Sequence, residues 1–156
     1  LHAENFGMPH EWIPGILVLY NASYSLTSYP IGKLSDKFNR YKILAFGIIV
    51  LFITDIILFS ASSLGVVICG VVFWGVQMGI SQSIFATLVA SNVPNDLRGT
   101  GFGFFYLLSG FALFLAGSGA GYISEIFGQS QAFLVSAIIS LVALMVLLIV
   151  ARYNKH

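Results

Sequence analysis

The residues of this chain best suited to chemistry include a short charged segment, in which Asp36 is followed by Lys37, Arg40 and Lys42. A carboxylate in such a segment can accept hydrogen bonds from the free N–H groups at a neighbouring helix start, while the bases hold it by charge-assisted contacts. That contact forms only when two helix ends are close. The segment therefore predicts a conformational latch, and the alternative is an ordinary basic anchor beside a membrane.

A second set of polar and aromatic side chains recurs at helical spacing within apolar runs. Four of these side chains share one helix face on a later apolar run, and two others lie on a similar polar face of the first apolar run. Glutamine can both donate and accept hydrogen bonds, and tryptophan can stack on a ligand. These faces predict contact with a solute, whereas the alternative is hydrogen bonding between packed helices. The positions are Trp74, Gln77, Ser81 and Phe85 on the later run, and Asn21 and Tyr24 on the first.

Asp55 is the one ionisable residue deep within an apolar run, which makes it a candidate for proton coupling. The alternative is a protonated carboxyl, or one that is hydrogen-bonded to a neighbouring helix. The single cysteine, Cys69, lies in another apolar run, and the histidines His2, His10 and His156 lie near the termini. We therefore expect no metal site, disulfide framework or cofactor. Since H-E-x-x-H and G-x-S-x-G motifs are absent, we expect no enzyme.

The elements that must position these residues are membrane helices. Hydrophobic residues make up 58% of the 156-residue chain, charged residues 8%, and the mean hydropathy is +0.92. A helix needs about 20 apolar residues to cross the hydrocarbon, where it satisfies its own backbone hydrogen bonds. The sequence predicts an all-α membrane protein with five transmembrane helices, at about 12–31, 43–61, 64–89, 103–123 and 132–151.

The charges predict the orientation of these helices. All seven bases fall on alternate loops, while the intervening segments carry only the acids Glu4, Glu11 and Glu125. By the positive-inside rule the basic side is cytoplasmic, the amino terminus lies outside and the carboxy terminus is cytoplasmic. The net charge of +1, with bases confined to these loops, implies no nucleic-acid partner. The bases are Lys33, Lys37, Arg40, Lys42, Arg98, Arg152 and Lys155.

The charged segment resembles the signature loop of the major facilitator superfamily, G-x-L-x-D-[RK]-x-G-[RK]-x-[RK]. The matching positions are Gly32, Leu34, Asp36, Lys37, Arg40 and Lys42. Asn39 stands at the second glycine, and we expect it to support the turn because asparagine readily adopts left-handed backbone. Pro94, Arg98, Gly99 and Gly103 are similar to the P-x-x-x-R-G-x-x-x-G segment that precedes the eleventh helix in this family.

The resemblance implies that the five runs are helices eight to twelve of a twelve-helix carrier, most of one six-helix bundle. The amino-terminal bundle and the seventh helix would then be missing, and we expect at least one helix before Leu1. The run 64–89 would line the central cavity with Trp74, Gln77, Ser81 and Phe85. The implied function is secondary active transport of a small solute by alternating access, with protons as a candidate coupling ion through Asp55.

The implied location is the lipid bilayer of a bacterial inner (plasma) membrane. Because no acid or base marks the cavity run, a neutral or zwitterionic solute, or an amphipathic drug-like one, is favoured over a strongly charged one. The alternative is a small oligomeric channel or membrane scaffold, whose subunits meet at a stripe of glycines that permits close helix approach. That stripe consists of Gly103, Gly110, Gly117 and Gly121.

Overall fold

The structure is a computed structural model that describes residues 9–153 and consists of five α-helices joined by short turns. Short 3₁₀ turns at His10–Trp12 and Asn95–Leu97 precede the first and fourth helices. The described residues contain no strand, so the all-α class is confirmed. The predicted positions Glu4, Lys155, His2 and His156 lie outside the described residues. The helices are α1 (Ile13–Ser35), α2 (Arg40–Phe59), α3 (Leu64–Asn92), α4 (Arg98–Phe127) and α5 (Gln129–Tyr153).

Four helices are long and apolar enough to cross a membrane: α2, α3, α4 together with the turn before it, and α5. The 23 residues of α1 are also long enough at about 1.5 Å per residue, but its polar middle keeps it out of this group. The membrane class is thus supported by four helices, and the crossing of α1 stays a prediction. The helix α4 extends beyond the predicted span 103–123 because a helix can continue past the apolar run.

The turn between α1 and α2 does not use left-handed backbone. Asn39 has φ −63° and ψ 118°, and its side chain accepts a hydrogen bond of 2.9 Å from the backbone N–H of Tyr41. Within the described residues only Gly128 has a positive φ. The turn forms with Asn39 in place of glycine, but the left-handed backbone expected for this residue was wrong. Asn39 is the N-cap of α2, where an extended backbone and a side-chain acceptor are needed.

The helix α3 lies at the centre of the bundle, in contact with α1, α2 and α4, while α2 also packs against α5. The larger cluster of buried apolar residues joins α2 to α3 and includes Ile43, Val50, Ile80 and Ile84. By contrast, α4 has no buried residue. Its main contacts are with α3, α5 and the 3₁₀ turn before it. The described helices thus leave most of α4 uncovered.

Two glycines allow α1 and α3 to approach at backbone distance. A Cβ atom added to Gly75 would lie 2.6 Å from the carbonyl oxygen of Tyr20, and one added to Gly79 would lie 2.8 Å from that of Tyr24. One turn further along α3, the Ser83 hydroxyl donates a 3.1 Å hydrogen bond to the carbonyl oxygen of Ser28. Small residues at four-residue spacing are the usual means by which membrane helices pack closely.

We predict that Gly75→Ala destabilises the protein by about 1–3 kcal/mol, because the added methyl group must push α1 away from α3. The measurement is the free energy of unfolding in detergent micelles. Gly65→Ala on the same helix is the matched control, since no atom lies within 4 Å of its added Cβ. Equal stability of the two variants would contradict the close contact between α1 and α3.

Candidate functional site

The residues of the charged segment occupy the last turn of α1, the connecting turn and the first turn of α2. Arg40 donates a 2.6 Å hydrogen bond from Nη1 to the Ser91 hydroxyl near the end of α3. Ser91 in turn donates to the backbone carbonyl of Leu88 at 3.1 Å. The segment is therefore tied to α3 through a side-chain contact that the sequence did not predict.

Asp36 lies exposed at the end of α1 and has no side-chain hydrogen bond or ion pair with any residue in the described range 9–153. Lys37 beside it is also exposed, and the guanidinium group of Arg40 contacts Ser91. A helix start that accepts Asp36 is thus absent among the described helices. The contact predicted for this carboxylate stays a prediction that requires another part of the protein.

Contacts between separate helices bring most of the described bases to one end of the bundle. Arg40 at the start of α2 meets Ser91 at the end of α3. Lys42 and Arg152 line the same pocket, between the start of α2 and the end of α5. Arg98 begins α4 after the short 3₁₀ turn that follows α3. This common end is the geometry that a positive-inside arrangement requires.

The predicted polar face of α3 divides into a buried pair and two aromatic residues. Gln77 donates a 2.9 Å hydrogen bond from Nε2 to the Ser81 hydroxyl, and these residues are only 7% and 6% exposed. The Ser81 oxygen lies 3.4 Å from the position that a Cβ on Gly47 would take, so Ser81 faces α2. Additional chain packed around these helices can only increase such burial. In this conformation Gln77 and Ser81 therefore do not face open space.

The aromatic members of this face lie nearer the surface. Trp74 is 43% exposed, and its ring lies nearly perpendicular to that of Tyr20 on α1, with centroids 6.2 Å apart. Phe85 is partly buried and contacts the ring of Phe105 on α4 at 5.9 Å. The open part of the predicted face is thus the aromatic part. Tyr20 on α1 is its neighbour.

The polar residues of α1 bond mainly within their own helix. Asn21 is exposed and donates from Nδ2 to the carbonyl oxygen of Leu17 at 2.7 Å, and the Ser28 hydroxyl donates to the carbonyl oxygen of Tyr24 at 2.8 Å. The side chain of Tyr24 is partly buried. These local bonds use the Ser28 hydroxyl and an N–H of the Asn21 amide, so in the described helices these two side chains bond within α1 rather than to neighbouring helices.

Asp55 is 4% exposed on α2 and accepts a 2.7 Å hydrogen bond from the Ser136 hydroxyl of α5 at Oδ2. This geometry favours the alternative stated for Asp55, a bond between neighbouring helices. The predicted run 132–151 contains two serines, Ser136 and Ser140, and the sequence does not indicate which of them is the partner of Asp55.

The glycine stripe of α4 is bare among the described residues. A Cβ added to Gly103, Gly110, Gly117 or Gly121 would meet no atom within 4 Å. Close approach of another helix at this stripe is therefore not observed within residues 9–153, and the close approaches involve glycines of α2 and α3 instead. Gly75 and Gly79, which lie against α1, have the four-residue spacing that is typical of close helix contacts, whereas three of the α4 glycines are seven residues apart.

Several apolar helices in alternating direction, with bases gathered at one end, define the chain as part of a multi-pass integral membrane protein. The family model of the Major Facilitator Superfamily matches residues 1–156, and the chain belongs to this family. The two loop motifs of the sequence are consistent with that membership.

Curated relatives carry transporter names. The chain is 28% identical to an uncharacterized MFS-type transporter of Methanocaldococcus jannaschii over 140 residues, which cover 86% of this chain and 34% of that protein. It is 27% identical to an uncharacterized transporter of Buchnera aphidicola subsp. Schizaphis graminum over 143 residues, which cover 88% of this chain and 35% of that protein. The chain thus spans about a third of the length of the curated relatives it matches.

Proposed function

We propose that this chain contributes helices eight to twelve to a secondary active transporter that moves a small solute by alternating access. The observation that carries the proposal is the family match over the whole chain, together with a signature loop located between α1 and α2. Both loop motifs then fall at the positions that this helix numbering requires. The rest of the carrier, including the amino-terminal bundle, would pack against the uncovered helices.

The solute site in this proposal lies beside the exposed aromatic surface of α3 and α1. Trp74 offers its ring to a ligand, and Tyr20 holds that ring from the side. Asn21 and Tyr24 continue the same wall on α1, and Phe85 continues it along α3. The pair Gln77 and Ser81 stabilises the wall from its buried side, since both side chains are already bonded.

The solute in this proposal is neutral, zwitterionic or amphipathic. Within the described residues, the charged side chains lie in the first or last turn of a helix or between helices, except for Asp55, which is bonded to Ser136. Burying a charged solute against this wall without a countercharge would cost several kcal/mol. Aromatic surface instead favours ligands with apolar area or a π face.

The orientation in this proposal places the basic end in the cytoplasm of a bacterial cell, with the amino terminus outside. Asp36 then serves as the latch on the cytoplasmic side. Its exposure and its lack of a side-chain partner within the described helices leave the carboxylate accessible to a helix start elsewhere in the carrier. Arg40 is already bonded to Ser91 and so fixes the loop on α3.

A channel or scaffold is the second candidate, and the uncovered α4 favours it. The glycine stripe of α4 has open space around it, which would let another copy of the chain approach this 30-residue helix closely. The two functions differ in flux, because a carrier saturates with solute and shows counterflow while a channel does neither.

We predict that Trp74→Ala raises the KM for uptake by about two- to tenfold, because stacking on an aromatic ring contributes about 0.5–1.5 kcal/mol. The measurement is saturable uptake and counterflow in proteoliposomes that contain the complete carrier. Trp12→Ala is the matched control, since Trp12 lies outside α1 and is 67% exposed. Unsaturable flux would overturn the carrier, whereas saturable uptake with an unchanged KM would overturn only this site.

We predict that Asp36→Asn increases the fraction of carrier that is open on the basic side, because the amide keeps the size of the carboxylate but loses its charge. Accessibility labelling of cavity cysteines from that side measures this fraction. Asp96→Asn, at another exposed acid of the same end, serves as the control. Equal labelling in the wild type and both variants would argue against a latch at Asp36.

A further inference from the structure

A pocket of about 540 Å³ lies between the start of α2 and the end of α5. Its bases are Lys42 and Arg152, one from each helix, and both side chains are exposed. Its apolar lining includes Met145, Leu148 and Ile149 of α5. This volume lies within the range of about 300–1,000 Å³ that is usual for small-molecule sites.

The charge of the pocket is one-sided. No acidic residue is among the described residues that line it, and the N-terminal end of α2 adds the positive end of a helix dipole. The two bases approach from different helices, so the fold concentrates charge that is distant in sequence. An anion is the complementary ligand.

The apolar lining indicates which anion. Met145, Leu148, Ile149 and Arg152 follow the three- and four-residue spacing of one helix face, so the base lies at the helix end and the apolar residues lie deeper along α5. Met145 and Ile149 are 57% and 56% exposed. A ligand that matches this order has a charged group at one end and a hydrocarbon chain at the other.

We propose that this pocket binds an anionic phospholipid from the leaflet at the basic end. The phosphodiester headgroup contacts Lys42 and Arg152, and an acyl chain lies along Met145, Leu148 and Ile149. Basic pockets between transmembrane helices on this side of a membrane are suited to such headgroups. A bound lipid would join α5 to the signature loop through Lys42, and this binding is separate from solute transport.

The experiment is native mass spectrometry of the detergent-purified protein with equal amounts of phosphatidylglycerol and phosphatidylcholine. We expect the protein to retain more phosphatidylglycerol than phosphatidylcholine. Lys42→Gln and Arg152→Gln should each weaken its binding about fivefold, and the double variant roughly thirtyfold, as a contribution of about 1 kcal/mol per base implies. Equal retention of the two lipids by the wild type would overturn the proposal.

Three further arms distinguish a lipid site from a free-anion site and from non-specific attraction between charges. Lys33→Gln is the matched control, because Lys33 lies over the Tyr29 ring at 4.6 Å on α1, and it should bind as the wild type does. A double variant with Lys42→Arg and Arg152→Lys keeps both charges and should retain the lipid. Displacement of the lipid by the same concentration of inorganic phosphate would show a free-anion site. A loss of lipid in the Lys33 variant equal to that in the Lys42 and Arg152 variants would show non-specific attraction. Either result would overturn the proposal.

Ile149→Asn tests the acyl-chain contact with the charges intact. We expect weaker retention of phosphatidylglycerol at an unchanged helix content, measured by circular dichroism. Unchanged retention of phosphatidylglycerol in this variant would overturn the proposed contact between the acyl chain and α5.

Discussion

The exclusion of charged side chains from hydrocarbon is the constraint on which the arrangement of this chain depends. A base at the centre of a membrane helix costs about 2.5–3.5 kcal/mol on insertion scales, so bases are confined to helix ends. In this structure the ends that carry them also meet: Arg40 bonds to Ser91, and Lys42 and Arg152 line one pocket. The direction of each helix follows from this common end, and the direction decides which faces pack together.

Within the bundle, packing depends on residues with little or no side chain. Gly75 and Gly79 bring α3 against the backbone of α1, while Gly47 and Gly70 admit Ile80 and Leu58 at the contact between α2 and α3. These approaches place α3 in the centre and leave Trp74 at its open edge beside Tyr20. The only strongly buried acid among the described residues, Asp55, is accommodated by the Ser136 hydroxyl on α5. The same packing that makes the bundle compact therefore exposes an aromatic wall and conceals the polar groups behind it.

The sequence predicted the helical class, the four most apolar helices and the family, because each depends on many residues acting together. The length of an apolar run and the distribution of the bases are properties of many residues, so one exceptional residue does not change the prediction. Individual side chains were predicted less well. Gln77 comes three residues after Trp74, and at about 100° per residue the two side chains point about 60° apart around α3. This angle is enough to place Gln77 on the buried side while Trp74 lies at the open edge. Asn39 followed local cap chemistry rather than the glycine of the family pattern. Ser136 is one of two serines in an otherwise apolar run, and a serine alone does not identify the residue that it contacts on another helix.

Labelling with a membrane-impermeant maleimide tests the common basic end most directly. Single cysteines are placed at Arg40, Arg98 and Ser62, the last in the connection between α2 and α3, in a protein with Cys69→Ala. Cysteines at positions 40 and 98 should react from one side of the membrane, and the cysteine at position 62 should react from the other. Reaction of positions 40 and 98 from opposite sides would contradict the helix directions, the family register and the proposed carrier.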